Sequence, residues 1–223
     1  MIHVLLVAGG SGTRMQSELP KQFLPLAGKT VLWHTLDRFH RAFPDATIVL
    51  VLPDAFFALA QEQLGEHPAW PRVTLTGGGE TRFQSVRNGL LSLPAQEGWV
   101  LVHDAVRPCL SDAFLKGLVE TARQFGNAVP CTEVRESLRE LSETENHAVD
   151  RSRFRAIQTP QVFSLPDLQQ AFSQPFRNEF TDEASVAESF GVKVHLCQGL
   201  EENIKITRPA DIPLCEWILA RQA

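Results

Sequence analysis

Residues 2–14 read IHVLLVAGGSGTR, an apolar run that stops on Gly9, Gly10 and Gly12. Such a run, with little polar alternation, is the pattern of a strand buried on both faces. Glycines placed directly after it leave backbone N–H groups uncovered, an arrangement that can wrap phosphate oxygens where a strand turns toward a helix. Similar runs follow at 47–52 (TIVLVL), 72–76 (RVTLT), 99–105 (WVLVHDA) and 127–131 (NAVPC). Between them lie helical patterns: Val31 to Phe43, with Leu32, Leu36 and Phe39 on one face, then Asp54 to Gly65, Arg82 to Leu93 and Ser111 to Phe125. Strand alternating with helix predicts an α/β fold, a mainly parallel sheet with helices on both faces. Ligands in such sheets bind at the carboxyl ends of the strands, so the loops after the strands should hold the chemistry.

The chain has 223 residues, 43% of them hydrophobic and 21% charged, which suits one domain spanning 1–223. Its 21 Lys and Arg against 26 Asp and Glu give a net charge of −5, no footprint for nucleic acid. Cys109, Cys131, Cys197 and Cys215 lie far apart without C-x-x-C spacing, so neither a zinc site nor a disulfide framework is expected. No stretch approaches the roughly 18 apolar residues of a membrane helix, and the first run lacks a basic leader, so a soluble cytoplasmic protein is expected. One stretch breaks the pattern: from Glu133 to Arg155, 11 of 23 residues are charged, about twice the average of the chain. It is too polar for core, and reads either as a solvated hairpin or surface loop, or as an arm that packs on a partner.

Local charge reverses the global one. From residue 9 to residue 30, Arg14, Lys21 and Lys29 face the single Glu18, an excess of +2. The dinucleotide fingerprint G-x-G-x-x-G fits Gly10 and Gly12 but meets Met15 at its last glycine, which disfavours an NAD-linked dehydrogenase. A P-loop built on Gly28, Lys29 and Thr30 would have Phe23 as its first glycine and Pro25 inside the loop. What remains is G-G-x-G-x-R followed by Pro20, Lys21 and Gln22.

That arrangement resembles the nucleotidyltransferases that join a nucleoside triphosphate to a phosphorylated sugar or alcohol with loss of pyrophosphate. The segments VHDAVRP at 102–108, QTPQ at 158–161, TDEAS at 181–185 and NIKIT at 203–207 resemble, in order, motifs of the 2-C-methyl-D-erythritol 4-phosphate cytidylyltransferase family. The resemblance runs from residue 3 to about residue 220 and implies a Rossmann-like fold of the nucleotide-diphospho-sugar transferase type. It implies CTP and a small phosphorylated polyol as substrates, and a divalent cation, Mg²⁺, bridging triphosphate oxygens. The residue chemistry agrees: a phosphate monoester is already an anionic nucleophile, so the reaction needs charge neutralisation and in-line positioning rather than a general base.

By the same resemblance, Arg14 and Lys21 correspond to transition-state stabilisers, with Arg151 and Lys205 as further catalytic cations. Nucleotide contacts are implied for Ala8, Gly9, Gly10, Gly12, Thr13, Gly78, Ser85 and Ala105, and acceptor contacts for Asp104, Arg107, Ser137, Thr159 and Thr181. Asp104 is also the one metal candidate. Residues 133–155 would be a dimerisation arm whose Arg151 and Ser137 reach the neighbouring subunit's site, making the enzyme a homodimer. Simpler readings accompany several of these. His103 is a packed strand-end histidine, Asp104 and Arg107 could form a structural ion pair, and Lys205 lies in a strand-like run. TDEAS suits a helix N-terminus, with Thr181 at the cap and Ala184 where a capping box wants an acid. Three positions depart from the expected motifs: Gly79 where an acidic residue is common, Ser137 for threonine and Val106 for alanine. The nearest competing activity is ribitol 5-phosphate cytidylyl transfer; a non-catalytic nucleotide sensor on the same fold is the alternative of another class.

Overall fold

The computed structural model describes residues 1–9, 19–94 and 97–222. The chain starts with β1 (Ile2–Val7), makes a small hairpin of β2 (Pro25–Leu26) and β3 (Lys29–Thr30), and enters α1 (Val31–Ala42). It continues through β4 (Thr47–Leu52), α2 (Phe57–Leu64), β5 (Val73–Gly77), α3 (Arg82–Leu91), β6 (Trp99–Asp104), α4 (Asp112–Phe125) and β7 (Asn127–Glu133). A second hairpin, β8 (Leu138–Leu141) and β9 (Asn146–Val149), precedes β10 (Arg155–Ile157), β11 (Gln161–Ser164), α5 (Leu165–Ala171), α6 (Glu183–Ser189), β12 (Leu196–Gln198) and α7 (Asp211–Gln222).

The main sheet has the order β10-β7-β11-β6-β1-β4-β5, with β12 beside β7. Pairs β6-β1, β1-β4, β4-β5 and β7-β12 are parallel, while β11 and β10 run antiparallel to their neighbours. The expectation of a mainly parallel sheet holds in the first half, where each crossover carries a helix. After β7 the return through the polar stretch contains no such helix, and the chain comes back antiparallel.

Alternating residues of each central strand feed opposite faces. Val4, Leu6, Leu50 and Leu101 pack with Leu36 and Phe39 of α1 and Leu115 of α4. Leu5, Val7, Val51 and Val102 pack with Val86 and Leu90 of α3 and Leu168 of α5. Each completely buried aliphatic side chain of this kind contributes about 1.5–3 kcal/mol. Helix α3 lies close to the sheet because Gly89 has no side chain: a Cβ there would stand 2.3 Å from Leu5 Cδ1 and 2.7 Å from Val51 Cγ2. The helices start where hydroxyls supply caps: Thr30, Thr81, Ser111 and Ser164 each accept a first-turn N–H. Gly126, at φ 89°, closes α4 in the left-handed conformation.

Two expected elements differ. Asp54 to Gly65 opens as a 3₁₀ turn, and its α-helix starts only at Phe57. NIKIT is not a strand: among the described residues it joins no ladder, and is held by the Ile206 N–H on the Val106 carbonyl (3.0 Å) and by Asp211, which accepts from the Thr207 and Arg208 N–H groups. The polar stretch from Glu133 to Arg155 includes the exposed β8-β9 hairpin, whose strands pair with each other and not with the main sheet. No helix among the described residues is long and apolar enough to cross a membrane.

Candidate active site

Three strand ends converge. Strand β1 runs out into Ala8 and Gly9, β5 into Gly78 and Gly79, and β6 ends on Asp104. The chain runs from β1 outward to β4 and β5, then places β6 on the other side of β1, so a crevice opens at this switch point. A cleft of about 310 Å³ lies there, lined by Ala8, Gly9, Lys21, Gly79, Arg82 and Ser85, among others. A second, of about 240 Å³, is lined by Arg107, Thr159, Thr181 and Asp182 and shares Arg82, Asp104 and Lys205 with the first.

The two glycine loops are joined by Ser85, one turn into α3. Its hydroxyl accepts the Gly79 N–H (3.0 Å) and donates to the Thr81 carbonyl (3.0 Å). A Cβ on Gly9 or Gly78 would stand 3.3 or 3.4 Å from that hydroxyl, and one on Gly79 only 2.3 Å from Gln84 Cβ. The missing side chains therefore let both loops close around Ser85, with α3 started by a Thr81–Gln84 capping box. Buried Gln22 fixes the other loop by donating to the Ala8 carbonyl (2.9 Å). Ala105 is different from the other nucleotide candidates. Its N–H binds the Val7 carbonyl, its own carbonyl accepts from Thr35, and it is completely buried; its neighbours Asp104 and Val106 line the cleft. Gly10, Gly12, Thr13 and Arg14 lie outside the described residues.

Asp104 is a hub. Its Oδ2 accepts from Lys205 Nζ (2.9 Å) and Arg107 Nε (3.2 Å), and its Oδ1 stands 3.6 Å from Arg82 Nη2. The structural ion pair between Asp104 and Arg107 thus exists, but within a larger cluster on the cleft. Burial alone would push the Asp104 carboxyl up, yet Arg82, Lys205 and Arg107 together hold it well below the usual carboxylate range. Arg107 also donates to the Asn203 carbonyl (2.8 Å), and Lys21 to the Ile206 carbonyl (2.9 Å). These bonds tie the NIKIT segment to the cleft, which places Lys205 at its edge.

Behind the hub, His103 and Thr159 form a relay of hydrogen bonds. The His103 Nε2–H donates to the Arg107 carbonyl (3.1 Å), so Nδ1 accepts from the Thr159 hydroxyl (3.0 Å), whose oxygen in turn accepts the Asp104 N–H (3.1 Å). Burial lowers His103 to about 3 and keeps it neutral, as this tautomer requires. His103 is the packed strand-end histidine expected, and Thr159, though on the second cleft, already has its hydroxyl engaged.

The TDEAS turn differs from the expected cap. Asp182, not Thr181, is the N-cap of α6: it accepts the Ser185 N–H (2.9 Å), and the Ser185 hydroxyl accepts the Asp182 N–H (3.1 Å). Thr181, freed of that task, lies exposed on the second cleft. Buried Gln161 of β11 braces the turn through the Asp182 carboxylate (2.9 Å) and the Ala184 N–H (2.8 Å). Glu183 turns inward, completely buried, to grip Arg82 with both oxygens. Burial raises the Glu183 carboxyl against the pull of Arg82, and the pair keeps Arg82 charged. Arg82 and Glu183 were not among the sequence candidates; the signals were present, an arginine opening the helix after the second glycine loop and an acid assigned only to capping.

Ser137 and Arg151 are exposed on the arm and line neither cleft; Arg151 donates to the Arg135 carbonyl. One chain therefore brings together Lys21, Asp104, Arg107, Thr159, Thr181 and Lys205, but not the arm residues.

The family model described as IspD, 2-C-methyl-D-erythritol 4-phosphate cytidylyltransferase, matches residues 2–221. The 2-C-methyl-D-erythritol 4-phosphate cytidylyltransferase of Bacteroides thetaiotaomicron is 44% identical over 216 residues, covering 97% of this chain and 98% of its own length. That of Porphyromonas gingivalis is 45% identical over 219 residues, with 97% of each chain covered. Among solved structures, the enzyme of the same name from Francisella tularensis superposes with a TM-score of 0.81 at 29% identity, covering 97% of this chain and 99% of its own. That from Thermus thermophilus gives 0.75 at 31%, covering 99% and 100%.

Proposed function

The chain belongs to the 2-C-methyl-D-erythritol 4-phosphate cytidylyltransferase family, and from that premise we propose how its residues transfer CMP from CTP to 2-C-methyl-D-erythritol 4-phosphate, giving 4-diphosphocytidyl-2-C-methyl-D-erythritol and pyrophosphate. The observation that carries the assignment is the gathering of Lys21, Arg82, Arg107 and Lys205 on two clefts that share one ionised carboxylate, Asp104.

The first cleft takes the nucleotide. Cytosine and ribose lie against the backbone of Ala8, Gly9 and Gly79 near Ser85, with Gly78 packed behind that hydroxyl, and carbonyls and N–H groups there can read the donor and acceptor pattern of the base. The second takes the phosphorylated polyol, with Thr181, Arg107 and Lys205 in its wall and Thr159 positioning the Asp104 backbone. An acceptor phosphate oxygen attacks the α-phosphorus; one P–O bond forms in line as the bond to the β-phosphate oxygen breaks and pyrophosphate leaves. No base is needed. Lys21 and Arg14 offset the charge that grows on the α-phosphate and the leaving group, and Lys205 orients the attacking phosphate.

Among the described residues no group of three His, Cys, Asp or Glu side chains forms a metal cage. Asp104, the ionised carboxylate enclosed at the cleft, would be the protein group that holds a Mg²⁺ there. When bound, the ion supplies charge neutralisation between phosphate oxygens. We read the exposed 133–155 arm within the single 1–223 domain as crossing to a second copy, so that Arg151 and Ser137 enter that copy's acceptor cleft and the active enzyme is a cytoplasmic homodimer.

The test is pyrophosphate release from CTP, Mg²⁺ and the methylerythritol phosphate. Lys21→Ala and Arg14→Ala should each lower kcat by about 10²–10³-fold, the cost of one electrostatic stabiliser, with unchanged unfolding midpoints. Full turnover in either variant would remove that residue from the mechanism.

A further inference from the structure

Arg82 is the side chain on which both clefts and a buried acid meet. It opens α3 directly after the second glycine loop, lines the nucleotide cleft and the acceptor cleft alike, and reaches Glu183, the first residue of α6. Its Nη2 lies 3.1 Å from Glu183 Oε2 while Nη1 meets Oε1, a bidentate fork. The same Nη2 stands 3.6 Å from Asp104 Oδ1.

An acid at the start of a helix serves the helix dipole equally well in solvent. Glu183 is instead fully buried, which carries a desolvation cost that an apolar pair of the same volume would avoid. Stability alone does not account for it. Its geometric effect is specific: it ties the start of α6, which carries Thr181 and Asp182 on the acceptor side, to the start of α3, which carries Ser85 and the glycine loop on the nucleotide side. It also divides the charges. With Glu183 satisfying one edge of Arg82, Asp104 can keep its closer contacts for Lys205 and Arg107. Were Glu183 uncharged, Arg82 would turn to Asp104 and compete with both.

We propose that Glu183 is a positioning residue for cytidylyl transfer, acting through Arg82, which it holds on the partition between the nucleotide and acceptor clefts so that Asp104 can orient Lys205 and Arg107. This rests on the activity proposed above. Kinetics of pyrophosphate release separate the two: a parent enzyme that shows none with CTP and the polyol phosphate fails that activity, whereas an active parent puts Glu183 to the test.

The variants are Glu183→Gln, Arg82→Gln and the pair together, assayed well below their unfolding midpoints and normalised to folded protein. Glu183→Gln should lower kcat/KM for the acceptor by at least about tenfold while KM for CTP stays within about threefold, and the double variant should be no worse than Arg82→Gln alone, because the acid has no route except through the guanidinium. Should Glu183→Gln not fold, Arg82→Lys takes its place: it keeps the charge, loses the fork, and should show the same acceptor-selective loss. An acceptor kcat/KM within tenfold of the parent, a loss shared equally by KM for CTP, or losses that multiply in the double variant overturns the proposal.

Discussion

The cleft and the arm are made from the same side chains, arginines facing carboxylates, and they differ in water. At the cleft, Asp104 is about 10% exposed and meets three cations, and Glu183 is completely enclosed. On and beside the arm, Arg135 meets Glu201 and His147 meets Glu140 with every side chain more than half exposed. Coulombic attraction at a given distance grows as solvent is withdrawn, and so does the cost of leaving a charge alone. Charge in the cleft is therefore fixed in place, whereas charge on the arm is screened by water.

Asp104→Asn attacks the comparison at its strongest point. Arg82, Arg107 and Lys205 would then face one another without their common anion. Turnover should fall about 10²–10³-fold and stability at neutral pH by about 3 kcal/mol. The pH dependence follows from the direction of the shift. A carboxyl held low in the folded state stabilises fully above its unfolded value of about 4 and loses that contribution as pH falls toward the folded value. Denaturant midpoints measured between pH 5 and 3 should thus drop more steeply in the parent than in Asp104→Asn. Equal slopes would show that the three cations do not share this carboxylate in solution.

How far this was legible in the sequence depends on whether local pattern or distant contact decides. The strands over 2–7 and 47–52 and the helix after Thr30 could be read because apolar periodicity and caps act within a few residues. Lys21, Asp104, Arg107 and Lys205 were legible through motif resemblance, and the clefts gather them. Arg82 and Glu183 were not, since 101 residues separate them and only the packing of α3 on α5, and of α5 on α6, brings them together. NIKIT misled because alternating apolar residues signal a strand, yet its hydrogen bonds go to a loop and to Asp211. Thr181 was given the cap that Asp182 takes, a one-residue shift that a short acidic turn does not reveal.

The arm and the cleft become one site if the arm crosses to a second chain. Arg151→Ala and Lys21→Ala proteins should each be nearly inactive alone. Mixed in equal amounts and allowed to exchange subunits, half of the dimers pair one of each chain, and each mixed dimer holds one site with an intact Lys21 and an intact incoming arm; about one quarter of parental pyrophosphate release should return. An arm serving its own chain gives no recovery, because every site would then lack one of the two cations.

The smallest effect belongs to Arg135→Ala. Arg135 and Glu201 approach to 2.6 Å, closer than any contact of Asp104, so by distance alone theirs would outrank every pair that Asp104 makes. They are 72% and 54% exposed, however, and water and salt screen them while two long side chains lose freedom to meet. The variant should unfold within about 0.5 kcal/mol of the parent, with the difference vanishing as salt is raised. A loss above about 1 kcal/mol that persists in high salt would mean that this pair is dry in solution. In that case the arm is covered where a lone chain leaves it bare, and the contrast with the cleft would belong to the isolated subunit rather than to the assembled protein.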